Sequence, residues 1–196
     1  MFIGSFSIEI GFVNIHGKDN SLANQPWSFW KERVEVVSEA VNRANEETGG
    51  NCLYAPSLNL PANEMLDAAR DAKRMGATSL LILPGISGLD VMRSIAEDDE
   101  VSLPIMGHPS MLGSFAISRE QGISHGILFG EIMRIAGADI AIFPNYGGRF
   151  SFTKEQCAEI GTSARKALGH LKPLWISPAG GMQIESIDQQ IDFYGT

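Results

Sequence analysis

The feature that most constrains this chain is an alternation that does not break from one end to the other. Short apolar or β-branched runs at 7–15, 52–57, 78–84, 103–108, 138–144 and 171–177 read as strands. Between and after them, 28–50, 61–76, 88–99, 124–137, 153–169 and 184–195 carry apolar residues at helical spacing. The first helical segment sets Trp30, Val34, Val37, Val41 and Ala44 on one face and Glu32, Glu35, Glu39 and Arg43 on the other. Gly49-Gly50 supplies its C-terminal stop, Pro61 opens the next helix and Gly76 closes it, and Thr153 can cap a later one. No tight hairpin signal joins two strands, so the pattern predicts six β-then-α units with parallel strands and right-handed crossovers, an α/β fold. The strands are apolar nearly throughout, as parallel strands covered on both faces are.

Two architectures answer to that pattern, an open doubly wound sheet or part of a (β/α)8 TIM barrel. The segment after the first strand, HGKDNSLANQ, is not the Gly-rich GxGxxG turn that the doubly wound nucleotide folds place there. A closed barrel takes eight units and about 250 residues; the 196 residues here are short by about two units. No linker or change of composition divides the chain, so 1–196 is expected to form a single partial barrel domain. A net charge of −8 argues against nucleic acid as partner. No run approaches the roughly 18 apolar residues of a membrane span, and the N-terminus lacks a basic leader region. Cys52 and Cys157 make neither metal spacing nor a disulfide framework. These features predict a cytoplasmic chain that binds neither nucleic acid nor membrane.

In both architectures the working rim is built from loops at the C-terminal ends of the strands. Those loops hold His16, Lys18, Asp19 and Asn20; Ser57 and Asn59; Pro84-Gly85; His108-Pro109-Ser110; Asn145-Tyr146-Gly147-Gly148-Arg149; and Pro178-Ala179-Gly180-Gly181. Together they offer one rim a carboxylate, an imidazole, a guanidinium and two glycine turns. Each also has a structural reading: Asp19 as a helix cap, His108 as a strand-end histidine bonded to a neighbour, the glycine pairs as turns, Arg149 as a solvated loop residue. His125, His170, Trp27 and Trp175 are assigned to packing or surface.

The segments GHPSMLGSF, GISHGILFGEIMRIAGADIAIFPNYGGRFSF and PLWISPAGGM resemble the large-subunit superfamily of ribulose-bisphosphate carboxylase (RuBisCO), and its non-photosynthetic RuBisCO-like branch in particular. KDNSLANQPWSFWKERV and NCLYAPSLNLPANEMLDAARDAKRMGA resemble the same family, so the likeness runs through 11–195. It implies an incomplete TIM barrel holding units two to seven of eight. The family's metal motif, Lys-Asp-Asp-Glu, aligns with Gly17-Lys18-Asp19-Asn20 and keeps only its Asp, at Asp19; a one-residue slip would let Lys18 serve. The resemblance thus implies Mg²⁺ with Asp19 and Asn20 as the metal positions. It matches His108 to a site histidine, Arg149 to the mobile-loop lysine, and Ala179-Gly180-Gly181 to a phosphate-binding turn, with Asn145 and Gly148 beside it.

Carboxylation needs a lysine cation over the added carboxylate, and a guanidinium is not interchangeable with an ammonium. The expected activity is therefore that of a lyase or isomerase acting through an enolate on a phosphorylated sugar-like ketone or keto acid. His108, Arg149 and Lys18 are its catalytic candidates. The resemblance also implies a homodimer for a full-length chain. The alternative is an inactive fragment or a sugar-phosphate binding barrel domain.

Overall fold

The computed structural model describes residues 3–7, 12–16, 24–25, 28–118, 120–148 and 152–195, with backbone alone up to 28. In chain order the elements are β1 (Ile3–Ser7), β2 (Phe12–His16), β3 (Asn24–Gln25), β4 (Ser28–Phe29), α1 (Trp30–Thr48), β5 (Leu53–Ala55), β6 (Ser57–Leu58) and α2 (Met65–Arg74). There follow β7 (Leu80–Ile82), α3 (Pro84–Ser87), α4 (Leu89–Ala96), β8 (Ile105–Gly107), a π-helix (Gly126–Ile132) running into α5 (Met133–Ile135), β9 (Ile140–Pro144), α6 (Lys154–Arg165), β10 (Trp175–Ala179) and α7 (Ile187–Tyr194).

The parallel strands lie side by side in the order of the sequence. β2 pairs with β5, β6 with β7, β7 with β8, β8 with β9, and β9 with β10. β5 and β6 are one strand interrupted at Pro56, which has no N–H to give a ladder; its carbonyl still accepts from the Leu81 amide at 3.0 Å. Two sheets thereby continue into each other. A doubly wound sheet reverses strand order at a switch point, and this one never does.

The side-chain layers agree. Leu80, Ile82, Ile105, Ala141 and Phe143 face a large cluster that takes in the apolar stripes of α1, α2, α4 and α6. The alternate residues Ala55, Leu81, Met106 and Ile142 form a second, small cluster with Ile140 and Ala179 and no helix residue. One face of the sheet is thus clothed in helices and the other looks only at strands, the layering of a (β/α)8 barrel. Among the described residues, six such units follow one another.

The structure departs from the sequence reading at the start of the chain. The run 7–15 is not one strand: β1 and β2 form an antiparallel pair, with Ile3 opposite His16 and Ser7 opposite Phe12, where no hairpin was expected. A second short ladder joins β3 to β4, Asn24 opposite Phe29. The last strand also sits later than 171–177. Pro173 withholds an amide, Leu171 turns back to bridge Leu168, and pairing with β9 begins only at Trp175.

Candidate functional site

Because the six strands run parallel, their C-terminal ends share one edge. The register fixes it: His16 lies opposite Ala55, Ile82 opposite Gly107, Gly107 opposite Ala141 and Pro144 opposite Ala179. His108, Asn145 and Gly180 each follow one of these ends directly. Lys18, Asp19 and Asn20 come after the end of β2 in sequence but lie outside the described residues, as does Arg149.

Alternation along the strands then separates side chains that look into the barrel from those that look out. On β8, Met106 belongs to the inner cluster, and a Cβ on Gly107 would meet the outer Met133 sulfur at 3.0 Å. His108, one residue on, returns to the inner side, half-buried. The Ser110 backbone N–H donates to its Nδ1 at 3.2 Å, and the Ser110 hydroxyl lies 2.8 Å from the same nitrogen.

Asn145 has the opposite parity. Ile142 points in and Phe143 out, so Pro144 points in and Asn145 out. Its side chain is buried beneath α7, where its Oδ1 accepts from the Tyr194 hydroxyl at 2.6 Å and its Nδ2 donates to Gln190 Oε1 at 3.1 Å. Its backbone amide donates to Ala179 O at 2.8 Å. Asn145 therefore fastens the loop after β9 to α7 and β10, with its amide group directed outward. Tyr194 and Gln190 were not singled out in the sequence; the alternation from Ile140 onward was the signal that could have found them. Burial and contact with Cys157 push the Tyr194 phenol up, out of reach of physiological pH, so it stays a donor. Burial likewise pushes the Cys157 thiol up, away from thiolate chemistry.

The glycines knit neighbouring loops backbone to backbone. A Cβ on Gly148 would fall 2.5 Å from Gly180 O, and one on Gly181 would fall 2.8 Å from Gly148 Cα. Gly147, Gly180 and Gly181 have φ of 70°, 86° and 75°, which favours glycine. A Cβ on Gly85 would fall 2.2 Å from Ser110 O. The loops after β7 and β8 are so joined at one part of the rim, and those after β9 and β10 at another. Ala179, the last residue of β10, is on the inner face; Gly180 and Gly181 are exposed beyond it.

Among the described residues no three His, Cys, Asp or Glu side chains gather as a metal site would require. Asp19 and Asn20 would contribute one carboxylate and one amide, a poor set for Mg²⁺, which favours several hard oxygen ligands. The donor set does not fit a resident magnesium. His125 packs edge-on to Phe152 at 4.5 Å between ring centres and is buried. His170 is exposed. Trp175 is 51% exposed, and Trp27 lies outside the described residues.

Residues 8–147 match the family model of the ribulose bisphosphate carboxylase large chain, catalytic domain. The chain belongs to the RuBisCO large-chain family. Within it, the chain is 34% identical over 189 residues to ribulose bisphosphate carboxylase-like protein 1 of Rhodopseudomonas palustris, covering 96% of this chain and 50% of that protein. It is 38% identical over 146 residues to a 2,3-diketo-5-methylthiopentyl-1-phosphate enolase of Bacillus pumilus, covering 74% of this chain and 36% of the enolase. The crystal structure of a Rubisco-like protein from Rhodopseudomonas palustris superposes with a TM-score of 0.84 at 32% identity, over 93% of this chain and 49% of that one. The chain thus spans half or less of the length of these family members. No helix among the described residues is long and apolar enough to cross a membrane.

Proposed function

We propose that this chain carries the substrate-facing rim of a RuBisCO-like enzyme that enolises a phosphorylated ketone and does not fix CO2. The observation that carries the reading is the single rim: one inward histidine and two interlocked glycine loops stand at the C-terminal ends of adjacent parallel strands. The relatives named as enolases support it, and the kinship to 2,3-diketo-5-methylthiopentyl-1-phosphate enolases suggests a diketone phosphate as substrate class.

Enolisation takes a proton from the carbon beside a carbonyl, moves that electron pair into a new C–C double bond, and leaves the carbonyl oxygen negative. The protein's task is to place donors where that charge develops. His108 offers an imidazole at the inner rim, and Arg149, next in sequence after the Gly147-Gly148 turn, would bring a fixed cation over the oxyanion. The exposed backbone of Gly180 and Gly181, with Gly148 and Ala179 beside it, suits a phosphate, which asks for close approach and backbone N–H groups. Lys18 follows β2 in the chain and would complete the site as a cation or base. Asn145 serves by holding the loop. A full-length dimer in a cytoplasmic setting belongs to the same reading.

The test is solvent deuterium exchange at the α-carbon of a phosphorylated 2,3-diketone, followed by NMR with the full chain, with and without Mg²⁺. Deuterium incorporation that falls at least about tenfold in His108→Ala is the expected result. Absence of incorporation under both conditions overturns the enolase reading. Calorimetric binding of the phosphate ester without exchange would instead favour a sugar-phosphate binding barrel.

A further inference from the structure

We propose that Ser110 is a positioning residue that locks the His108 ring in the tautomer carrying its proton on Nε2. A backbone amide can only donate, so the nitrogen that receives the Ser110 N–H at 3.2 Å must present its lone pair. The Ser110 hydroxyl, 2.8 Å from the same Nδ1, adds a second donor. With Nδ1 accepting from both, the proton of a neutral ring resides on Nε2.

The loop is built to make this contact. The His108 amide is tied to Ile82 O at 2.8 Å, and the Leu112 amide to Pro109 O at 3.1 Å. Pro109 has no N–H, so Ser110 holds the first free donor after the ring. Leu112 is buried at 2% exposure, whereas Met111 is 67% exposed and has φ of 66°, a left-handed conformation that a methionine rarely adopts. Burial of Leu112 draws the backbone through that strained residue and swings the Ser110 N–H onto the ring; strain of this kind persists where surrounding structure over-determines it. Gly85 completes the arrangement by letting Ser110 O approach where any Cβ would collide.

The functional half of this inference rests on the enolase reading. A ring with its proton on Nε2 donates to a developing oxyanion, while the other tautomer would aim a lone pair at it. The tautomer itself stands on geometry alone.

The experiment is long-range proton–nitrogen NMR on the full chain labelled with ¹⁵N-histidine, at a pH where the ring is neutral, in wild type, Ser110→Ala and Ser110→Thr. A wild-type His108 protonated on Nε2 supports the proposal. Ser110→Ala is expected to lower the Nε2–H to Nδ1–H ratio about fivefold, the worth of one ordinary hydrogen bond, and Ser110→Thr to restore it. Turnover in the exchange assay is expected to fall in Ser110→Ala by no more than about fivefold, the limit that this ratio sets, with KM little changed. A wild-type ring protonated on Nδ1, or a ratio unmoved by Ser110→Ala, overturns the proposal. If Ser110→Ala does not fold, the wild-type spectrum decides by itself. A wild-type chain that shows the Nε2–H ring yet exchanges no substrate proton removes the enolase reading and leaves the role of Ser110 standing.

Discussion

A single methyl group measures how tightly the rim is joined. Gly148 faces the Gly180 carbonyl, and a Cβ there would sit 2.5 Å from its oxygen. Backbone lies on both sides, so neither loop can yield by turning a side chain. Gly148→Ala is expected to destabilise the chain by about 1–3 kcal/mol, the usual cost of overpacking, and to weaken phosphate-ester binding with it. Gly147→Ala is the control, since nothing lies within 4 Å of its Cβ and only its φ of +70° opposes the change; about 1 kcal/mol is expected. Urea midpoints of the two variants check the order. The glycine pairs were legible as turns in the sequence, but contact between one loop and the next depends on strand register, which no local pattern carries. Asn145 differs. Its place after an apolar strand marked it as a rim residue, and its outward direction follows from counting alternate residues from Ile140, a signal that was in the sequence. Tyr194→Phe, which removes the 2.6 Å bond to its buried Oδ1, is expected to cost about 1–3 kcal/mol because an acceptor is left unsatisfied.

At the scale of elements, local chemistry was read well wherever a helix carries its own stop and start. Gly49 ends α1 in the left-handed conformation at φ 66°, and Thr153 caps α6 in a reciprocal box with Gln156. The helix expected at 124–137 shows where local pattern fails. Its middle is a π-helix, wound so that Gly126 and Gly130 press against Ser163 of α6, where a Cβ would meet side-chain atoms at 2.6 and 2.7 Å. That winding answers to a neighbouring helix and leaves no periodic trace. It also buries His125 against Phe129 and Phe152, and burial holds this imidazole below its usual 6.5, against a smaller opposing pull from Glu159. The unfolded chain therefore binds the proton more readily than the folded one. Stability from this group is complete above pH 6.5 and declines as pH falls through the folded-state value. Asp98, held below the usual carboxylate range chiefly by its bond to Arg70, adds a loss of the same sign only below about 3.8, so the two windows separate. Thermal melting followed from pH 8 to pH 5 is expected to show the first decline in wild type, and His125→Phe is expected to flatten it.

For the whole molecule, the described residues leave β10 at an edge of the sheet. β10 pairs with β9 on one side, and among the described residues no strand pairs with its other side. The register says which groups are left over. The Trp175 amide donates to Asp139 O, and Ala179 O accepts from Asn145, so residues 175, 177 and 179 direct their backbone groups toward β9. Ile176 and Pro178 direct theirs the other way. Proline has no N–H to present, which leaves the Ile176 amide as the strand's single donor on the open side, an arrangement that blunts an edge against pairing with other chains. Trp175, at the start of the same strand, has the inward parity of Ser177 and Ala179 and is half exposed for want of a neighbour. Amide hydrogen exchange is expected to separate these positions cleanly. Ser177 and Ala179 exchange slowly, at rates set by opening of the sheet, while Ile176 exchanges faster by about a hundredfold or more, as an unpaired strand amide does. Pro178→Ala adds a second donor to the edge and is expected to raise self-association, read by sedimentation at increasing concentration. An Ile176 amide as slow as its neighbours would mean that the open side of β10 is covered, and that the barrel closes in solution on something beyond the six units described.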